Sequence, residues 1–358
     1  MRSYRPLGKT GFEMSDVSFG SSGLDNTAVV KRALDKGVNY FDTSPDYSRA
    51  GSETVLGEAI KGHPRDQLFI VSKFCTADGH LPDDTPVKQV IAAVEASLER
   101  LHTDYLDLCH IHACNSVERL MAPNIHEAAD RLKEQGKLRY IGVSSHTPRL
   151  ETVMRHAVDS GRFDVIMVAY NFDDWPALPG IFQDARERGV GVVAMKTLKG
   201  AKHTALSEFT PSERESFSQA AFKWVLANPD VSGLVVSING PVQLDEYLYA
   251  SGGKLAHGDV ALLERYDRLI AGDYCRPGCG ECLPSCPVGL PVDDVLRFAM
   301  YYENYGQQRI AMEEYARLPL ERNASLCAGC SAPCEAACPH GVAIGVKMRR
   351  ADRLLRAI

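Results

Sequence analysis

Residues 38–62 read VNYFDTSPDYSRAGSETVLGEAIKG. The opening VNYFDT is a short apolar run of the kind that forms a strand buried on both faces. A polar loop follows. SETVLGEAIKG then repeats apolar residues at helical spacing and stops at Gly62, where a left-handed residue is wanted. The stretch is one strand–loop–helix unit. Working outward, DVSFG, LFIVSKF, YLDLCHIH, YIGVSS, VIMVAYN, VGVVAMK and SGLVVSI supply seven more apolar runs, eight in all. Amphipathic stretches alternate with them, among them NTAVVKRALDKG, TPVKQVIAAVEASLERL, IHEAADRLKEQGK, RLETVMRHAVDSG, PGIFQDARERG, ESFSQAAFKWVLAN and PVQLDEYLYAS. Gly37, Gly136, Gly161 and Gly189 end helices as Gly62 does, and Thr85 before Pro86 predicts a capped helix start. Eight such units predict an α/β fold, a (β/α)8 TIM barrel. A doubly wound open sheet is the alternative, but no GxGxxG follows the first strand. YRPLGKTGFEM, ahead of that strand, reads as a hairpin capping the barrel floor.

The chain has 358 residues, 45% of them hydrophobic and 24% charged, with a net charge of −6. That balance gives no reason to expect nucleic acid or an anionic membrane surface as partner. No run approaches the roughly 18 apolar residues of a membrane span, and the first twenty residues hold no apolar signal core. A cytoplasmic location is expected, and in a reducing compartment closely spaced cysteines are metal ligands before they are disulfides.

After Gly253 the pattern changes. GDVALLERYDRLIAGDY is a helix leading into a cysteine run, PVDDVLRFAMYYENYGQQRIAMEEYARL reads as two helices, and GVAIGVKMRRADRLLRAI is a basic terminal helix. The expected organisation is a barrel over 1–255, a linker helix over 256–273, a cysteine domain over 274–345 and a C-terminal helix over 346–358. Eight of the eleven cysteines fall in two runs there. The first, Cys275, Cys279, Cys282 and Cys286, is C-x3-C-x2-C-x3-C-P. The second, Cys327, Cys330, Cys334 and Cys338, is C-x2-C-x3-C-x3-C-P.

Chemistry in a (β/α)8 barrel sits at the C-terminal ends of the strands. Asp42 ends the second strand, Lys73 the third and His112 the fourth, with Tyr47 in the loop after the second. This set suits carbonyl reduction. Hydride addition to C=O builds negative charge on oxygen, which then needs a proton. Tyrosine supplies it reluctantly, with a pKa near 10. A neighbouring ammonium, Lys73, eases the loss, Asp42 holds that ammonium, and His112 donates to the substrate oxygen. His110, two residues deeper, reads as a barrel-interior residue. Cys75, Cys109 and Cys114 read as reduced structural cysteines, with Cys114 a candidate reactive thiol near the mouth.

FDTSPDYSRAGSETVLGEAI, VSKF, YLDLCHIH and IGVSSH, in this order, resemble the aldo/keto reductase superfamily over residues 1 to about 250. The resemblance maps its Asp–Tyr–Lys–His tetrad onto Asp42, Tyr47, Lys73 and His112. It implies a nicotinamide dinucleotide, NADP or NAD, lying across the barrel mouth, and a small carbonyl or alcohol substrate. The family's carboxamide contacts fall on Ser144, Ser145 and Met167, with Tyr170 and Asn171 near the ring. Its diphosphate loop falls on MKTLKG, with Lys196, Thr197 and Leu198 as candidates. The segment after strand eight contributes Asn239, Gly240, Gln243 and Glu246. Gly240 and Gln243 stand where NADP-preferring members carry a cation.

The two cysteine runs resemble the bacterial ferredoxin run, C-x2-C-x2-C-x3-C-P, whose fourth cysteine ligates the other cluster. The resemblance implies two [4Fe–4S] clusters, one on Cys275, Cys279, Cys282 and Cys338, the other on Cys327, Cys330, Cys334 and Cys286. Structural zinc, or a single cluster, is the alternative. The function expected is a carbonyl–alcohol oxidoreductase carrying an electron-transfer module, with a ferredoxin or other electron carrier as partner. A redox-sensing barrel that binds a ligand without turnover is the alternative.

Overall fold

The computed structural model describes residues 1–146, 149–173, 175–199, 216–276, 278–304 and 308–356, without the side chain of residue 310. They divide between two compact units. One holds Met1–Thr197 and Ser218–Ala256, the other Leu198–Phe217 and His257–Ile358, so far as these are described.

In the first unit eight strands close into a barrel. They are β1 (Val17–Gly20), β2 (Tyr40–Asp42), β3 (Phe69–Lys73), β4 (Leu106–Ile111), β5 (Leu138–Ser145), β6 (Val165–Ala169), β7 (Gly191–Met195) and β8 (Gly233–Ser237). Each runs parallel to the next, and β8 returns to β1 with Leu234 opposite Val17. All eight apolar runs read from the sequence are barrel strands. Among the described residues eight longer helices alternate with them, besides a single turn at Val117–Leu120: α1 (Thr27–Asp35), α2 (Gly51–Ile60), α3 (Val87–Leu101), α4 (Pro123–Glu134), α5 (Leu150–Ser160), α6 (Leu178–Glu187), α7 (Phe217–Leu226) and α8 (Pro241–Leu248). Residue 215, where the sequence pattern of α7 begins, lies outside the described residues. Gly37, Gly62, Gly136, Gly161 and Gly189 all have positive φ, as their helix-ending positions require.

One cap differs from expectation. Thr85 donates its hydroxyl to the Pro82 carbonyl at 2.7 Å, inside the preceding turn. The hydroxyl is spent there, so α3 starts one residue later, with Pro86 in the cap position and no side-chain cap.

The predicted floor hairpin is present, Tyr4–Pro6 pairing antiparallel with Glu13–Ser15. Leu7 and Met14 enter the lower barrel core with Tyr40, Phe69, Val71, Leu108, Val165, Met167, Val193 and Val235. Side chains alternate in and out along a barrel strand. Tyr40, Val71 and Leu108 point inward at the floor, so Asp42, Lys73 and His110, two residues on, point inward at the other end. The floor therefore sets the register of the candidate site.

The second unit is helical around a separate core. Val292, Val295 and Leu296 of α10 (Val292–Asn304), Tyr315 of α11 (Gln308–Ala316) and Ile344, Met348 and Leu355 of α12 (Ile344–Leu355) fill it, and helix α9 (His257–Ile270) belongs to the same unit. Residues 357 and 358, the end of the predicted terminal helix, lie outside the described residues. Cys282 and Cys334 are buried in this core. Tyr315 donates to Asp352 at 2.5 Å and accepts from the Ala324 amide at 3.0 Å, tying α11 to α12. No helix among the described residues is long and apolar enough to cross a membrane.

Candidate active site and cysteine sites

Asp42 and Lys73 close adjacent strands and are 3% and 2% exposed. The Lys73 ammonium donates to the Asp42 carboxylate and, at 2.9 Å, to the Thr43 carbonyl. Burial pushes the Asp42 carboxyl above its ordinary range, against the pull of the Lys73 charge. Away from water each charge depends on the other.

Tyr47 is half-buried in the loop after β2. The chain turns sharply just beyond it. Ser48, Arg49 and Ala50 have φ of 51°, 50° and 67°, a left-handed conformation costing non-glycine residues about 1–2 kcal/mol each. The Ala50 amide donates to the Pro45 carbonyl at 2.7 Å and closes the turn. His112, one residue beyond β4, meets the Tyr47 ring edge-on, with centroids 6.0 Å apart and planes at 77°. All four tetrad positions thus lie at the C-terminal ends of β2, β3 and β4.

Three further side chains gather at His112. Its Nδ1 lies 3.2 Å from the Asp46 carboxylate and 3.4 Å from Cys75 Sγ. His80 Nε2 is 3.6 Å from the same carboxylate, and the two imidazole rings are 4.7 Å apart. Burial opposes ionisation of Asp46, but the charges and hydrogen bonding of its neighbours, His112 first, outweigh it and hold the carboxyl well below the usual range. Asp46, Cys75 and His80 carry no periodic signal and went unread as site residues. The one sequence clue is that Asp46 directly precedes Tyr47.

His110 is fully buried inside the barrel, as read from its position, and neither ring nitrogen has a partner. Burial drives its pKa well below the ordinary value. Gly142 makes its space, since a Cβ there would come within 2.7 Å of the ring and of the Val165 carbonyl. Cys114 is not the reactive thiol its position suggested. Its Sγ is buried, donates to the Ser116 carbonyl at 3.3 Å, and burial pushes its pKa up to about 11.

The dinucleotide positions divide. The Ser21 and Thr43 hydroxyls, after β1 and β2, are buried without partners and offer a polar ligand something to bind. Ser144 accepts from the Ala113 amide at 3.1 Å, and Ser145 lies beside it at the end of β5. Asn171 is occupied with the Lys196 carbonyl at 3.2 Å and the Asp173 amide at 3.0 Å. Met167 packs in the apolar barrel core. Tyr170 corrects the expectation that it lies near the nicotinamide ring. It follows Ala169 with the outward parity of Val168, and its ring sits 5.0 Å from Phe182 and 5.2 Å from Trp224 on the outer helices.

Lys196 adopts a positive φ of 54° after β7, and Thr197 and Leu198 beside it are buried. Gly200, the last residue of that loop, lies outside the described residues. Gly240 caps α8 with open space where a side chain would stand. Gln243 is committed to the helix start, accepting from the Asn239 amide at 2.8 Å and donating to the Tyr247 hydroxyl at 2.9 Å. Glu246 lies on the same helix, its carbonyl accepting from Gln219 at 2.9 Å.

In the second unit two small cavities are each lined by four cysteines. Cys275, Cys279, Cys282 and Cys338 line the first; Cys286, Cys327, Cys330 and Cys334 line the second. Each run's fourth cysteine faces the other run's cavity, and the proline after it lines that cavity too. The Leu290 amide points at Cys286 Sγ at 3.3 Å and the Ala332 amide at Cys330 Sγ at 3.4 Å, a donor pattern suited to thiolate or cluster sulfur. Four convergent thiols are the donor set of a four-iron cluster; the walls of the second cavity are mainly apolar, while Arg276, Asp293 and His340 also line the first. Four of the cysteines are reluctant acids as thiols: burial pushes Cys275 up to about 12, Cys282 and Cys327 up to about 11, and Cys334 upward.

Residues 23–268 match the family model described as "Aldo/keto reductase family". The chain belongs to the aldo/keto reductase family. Residues 274–343 match the model of a 4Fe-4S dicluster domain, so this aldo/keto reductase carries an iron–sulfur domain that follows its barrel in the sequence. The chain is similar to L-galactose dehydrogenase of Arabidopsis thaliana, 29% identical over 284 residues that cover 69% of this chain and 87% of the relative. It is also similar to the uncharacterized oxidoreductase YqkF of Bacillus subtilis, 25% identical over 307 residues, 74% of this chain and 96% of the relative. Among solved structures, aldo-keto reductase AKR11C1 from Bacillus halodurans (holo form) superposes with a TM-score of 0.59 over 74% of this chain and 96% of that one. At 23% identity it speaks for the fold alone.

Proposed function

We propose that this aldo/keto reductase interconverts a small carbonyl compound and its alcohol, with NAD or NADP bound across the barrel mouth. Bound there, the nicotinamide supplies or accepts hydride. The chain's own residues manage the proton. Tyr47 gives it to the developing alkoxide. Lys73, held by Asp42, lowers the cost of the phenolate, and His112 donates to the substrate oxygen. The observation that carries the reading is the buried Lys73–Asp42 pair together with the Tyr47–His112 ring contact, all at the C-terminal ends of β2, β3 and β4. Ser144, Ser145, Lys196, Thr197 and Asn239 remain the residues to hold the dinucleotide. Without a cation at Gly240 or Gln243 to meet a 2′-phosphate, NAD is favoured over NADP. The relative's name suggests a sugar as one substrate to try.

The crossed cysteine sets would hold two [4Fe–4S] clusters, which pass single electrons when bound. Nicotinamide passes two as hydride, so the clusters serve an external electron carrier such as a ferredoxin. A reducing compartment such as the cytoplasm suits unoxidised cluster cysteines. The experiment that tests the barrel reading is Tyr47→Phe. Turnover of the best carbonyl substrate should fall on the order of 10²–10⁴-fold, with dinucleotide affinity by fluorescence titration unchanged. Near wild-type turnover would refute the assignment. A second reading, a redox-sensing barrel without turnover, draws on Tyr170 and Gln243 being committed elsewhere. If neither NADH nor NADPH binds in the same titration, that reading stands instead.

A further inference from the structure

The cluster around His112 contains more than a reductase tetrad needs. Asp46, Cys75, His80 and His112 each offer one ligand atom, and all four atoms lie within 4.8 Å of one another. Three of the separations are 3.2, 3.4 and 3.6 Å. Tetrahedral zinc, with Zn–N and Zn–O near 2.0–2.1 Å and Zn–S near 2.3 Å, sets its ligands about 3.3 Å apart for N···O and about 3.6 Å for S···N.

We infer that these four side chains form a binding site for a zinc-type divalent cation at the barrel mouth, distinct from the eight cluster cysteines. The backbone builds the site from three segments. Asp46 comes from the loop after β2, and His112 from the end of β4. The other two come from a small hairpin after β3, in which Cys75–Thr76 pairs antiparallel with Gly79–His80. Cys75 stands directly opposite His80 in that pairing. Cross-strand partners place their side chains on one face, a few ångströms apart. A Cys-x4-His hairpin thus delivers a sulfur and a nitrogen to one point.

The charges also balance. One carboxylate and one thiolate neutralise a dication, and two neutral imidazoles complete the tetrahedron, so no net charge is buried. The thiol must release its proton to the solvent as the cation enters, which makes binding stronger at higher pH. Four protein ligands make a closed site rather than one with a vacant position for substrate. Its consequence for the barrel is geometric. With the cation on Nδ1, the His112 ring is held still and carries its proton on Nε2.

The test uses the full chain with its clusters loaded, so that the cysteines of the second unit are occupied by iron. After equilibrium dialysis against chelator-buffered zinc, elemental analysis should find about one zinc per chain, and its X-ray absorption edge should report one sulfur and three nitrogen or oxygen neighbours. Cys75→Ser should weaken binding at least about tenfold, as should His80→Ala, which removes an exposed side chain and leaves the barrel core untouched. No zinc retained by the wild type, zinc in an all-sulfur environment, or zinc held equally well by His80→Ala would each overturn the assignment. None of these readouts depends on turnover, so the site stands or falls apart from the reduction chemistry.

Discussion

The two units place functional side chains by opposite means. In the barrel the candidate site is held by contacts the protein makes with itself. Lys73 is paired with Asp42, His112 faces Asp46, and a strained turn fixes the loop that carries Tyr47. In the second unit the functional groups face two cavities, and burial makes several of their thiols, Cys275 first, reluctant to give up a proton. The barrel's Lys73–Asp42 and His112–Asp46 contacts are made by the fold itself. The cysteine sites are complete only when filled, and two of their members, Cys282 and Cys334, are also core residues.

The largest effect should come from breaking that contrast at the iron. Stripping the metal with a chelator and reductant should collapse much of the helical second unit, because ligand binding there is also folding free energy. The barrel should stay intact. Trp175 and Trp224 both lie in the barrel unit and are the chain's two tryptophans, so fluorescence reports the barrel while circular dichroism reports the lost helix. A parallel loss of both signals would show that the barrel depends on the clusters.

The next effect sharpens the barrel side. Asp42→Asn leaves the Lys73 ammonium buried without its counter-charge. Breaking one partner of a buried pair costs about 3–5 kcal/mol. The variant should unfold at markedly lower urea while keeping its brown iron–sulfur colour. A stability within error of wild type would mean that the pair is already neutralised by a shared proton.

The cysteine sets yield a qualitative test. Cys286→Ala should perturb the same cluster as Cys330→Ala, and Cys338→Ala the same cluster as Cys279→Ala, in electron paramagnetic resonance spectra and redox titration. If Cys286→Ala instead resembles Cys279→Ala, each cluster draws on its own run and the crossed assignment fails.

The sequence exposes these two regions unequally. Barrel strands are legible because they are largely buried on both faces, so each reads as an apolar run from DVSFG to SGLVVSI. The tetrad is legible because strand ends are fixed once the strands are. The cysteine sets are legible because ligand spacing is chemical rather than conformational. What stayed hidden depends on side-chain direction. Tyr170 lies one residue past β6, and only the strand's alternation turns it outward onto Phe182 and Trp224. Cys75 and His80 are brought together by a hairpin of two residues per strand, too short to leave any period. Thr85 had a partner three residues back, where no helix pattern points.

The smallest predicted effect separates two titrating groups that a single acid-denaturation curve would merge. His110 stays neutral in the folded barrel because its pKa is driven down by burial, whereas in the unfolded chain it takes up a proton below about pH 6.5. The unfolded state then binds the extra proton, so folding stability falls as pH falls through that value. Between pH 6.5 and 5.5 this group alone should remove about 1 kcal/mol, or a few degrees of melting temperature for a unit of this size. Asp46 acts in a different window. Its depressed pKa gives a contribution fully present above the ordinary carboxylate pKa near 3.9, lost only as pH drops below it. His126, half-buried and also lowered, titrates alongside His110 but is unchanged when His110 is replaced. The informative quantity is therefore a difference. His110→Leu should flatten the wild-type fall between pH 6.5 and 5.5 by about 1 kcal/mol, read from tryptophan fluorescence melts at the two pH values. It should leave the fall below pH 4 in place. Equal slopes in both proteins would mean that His110 is protonated or hydrogen-bonded in the folded barrel, and that its two free nitrogens are met by a ligand or water inside it.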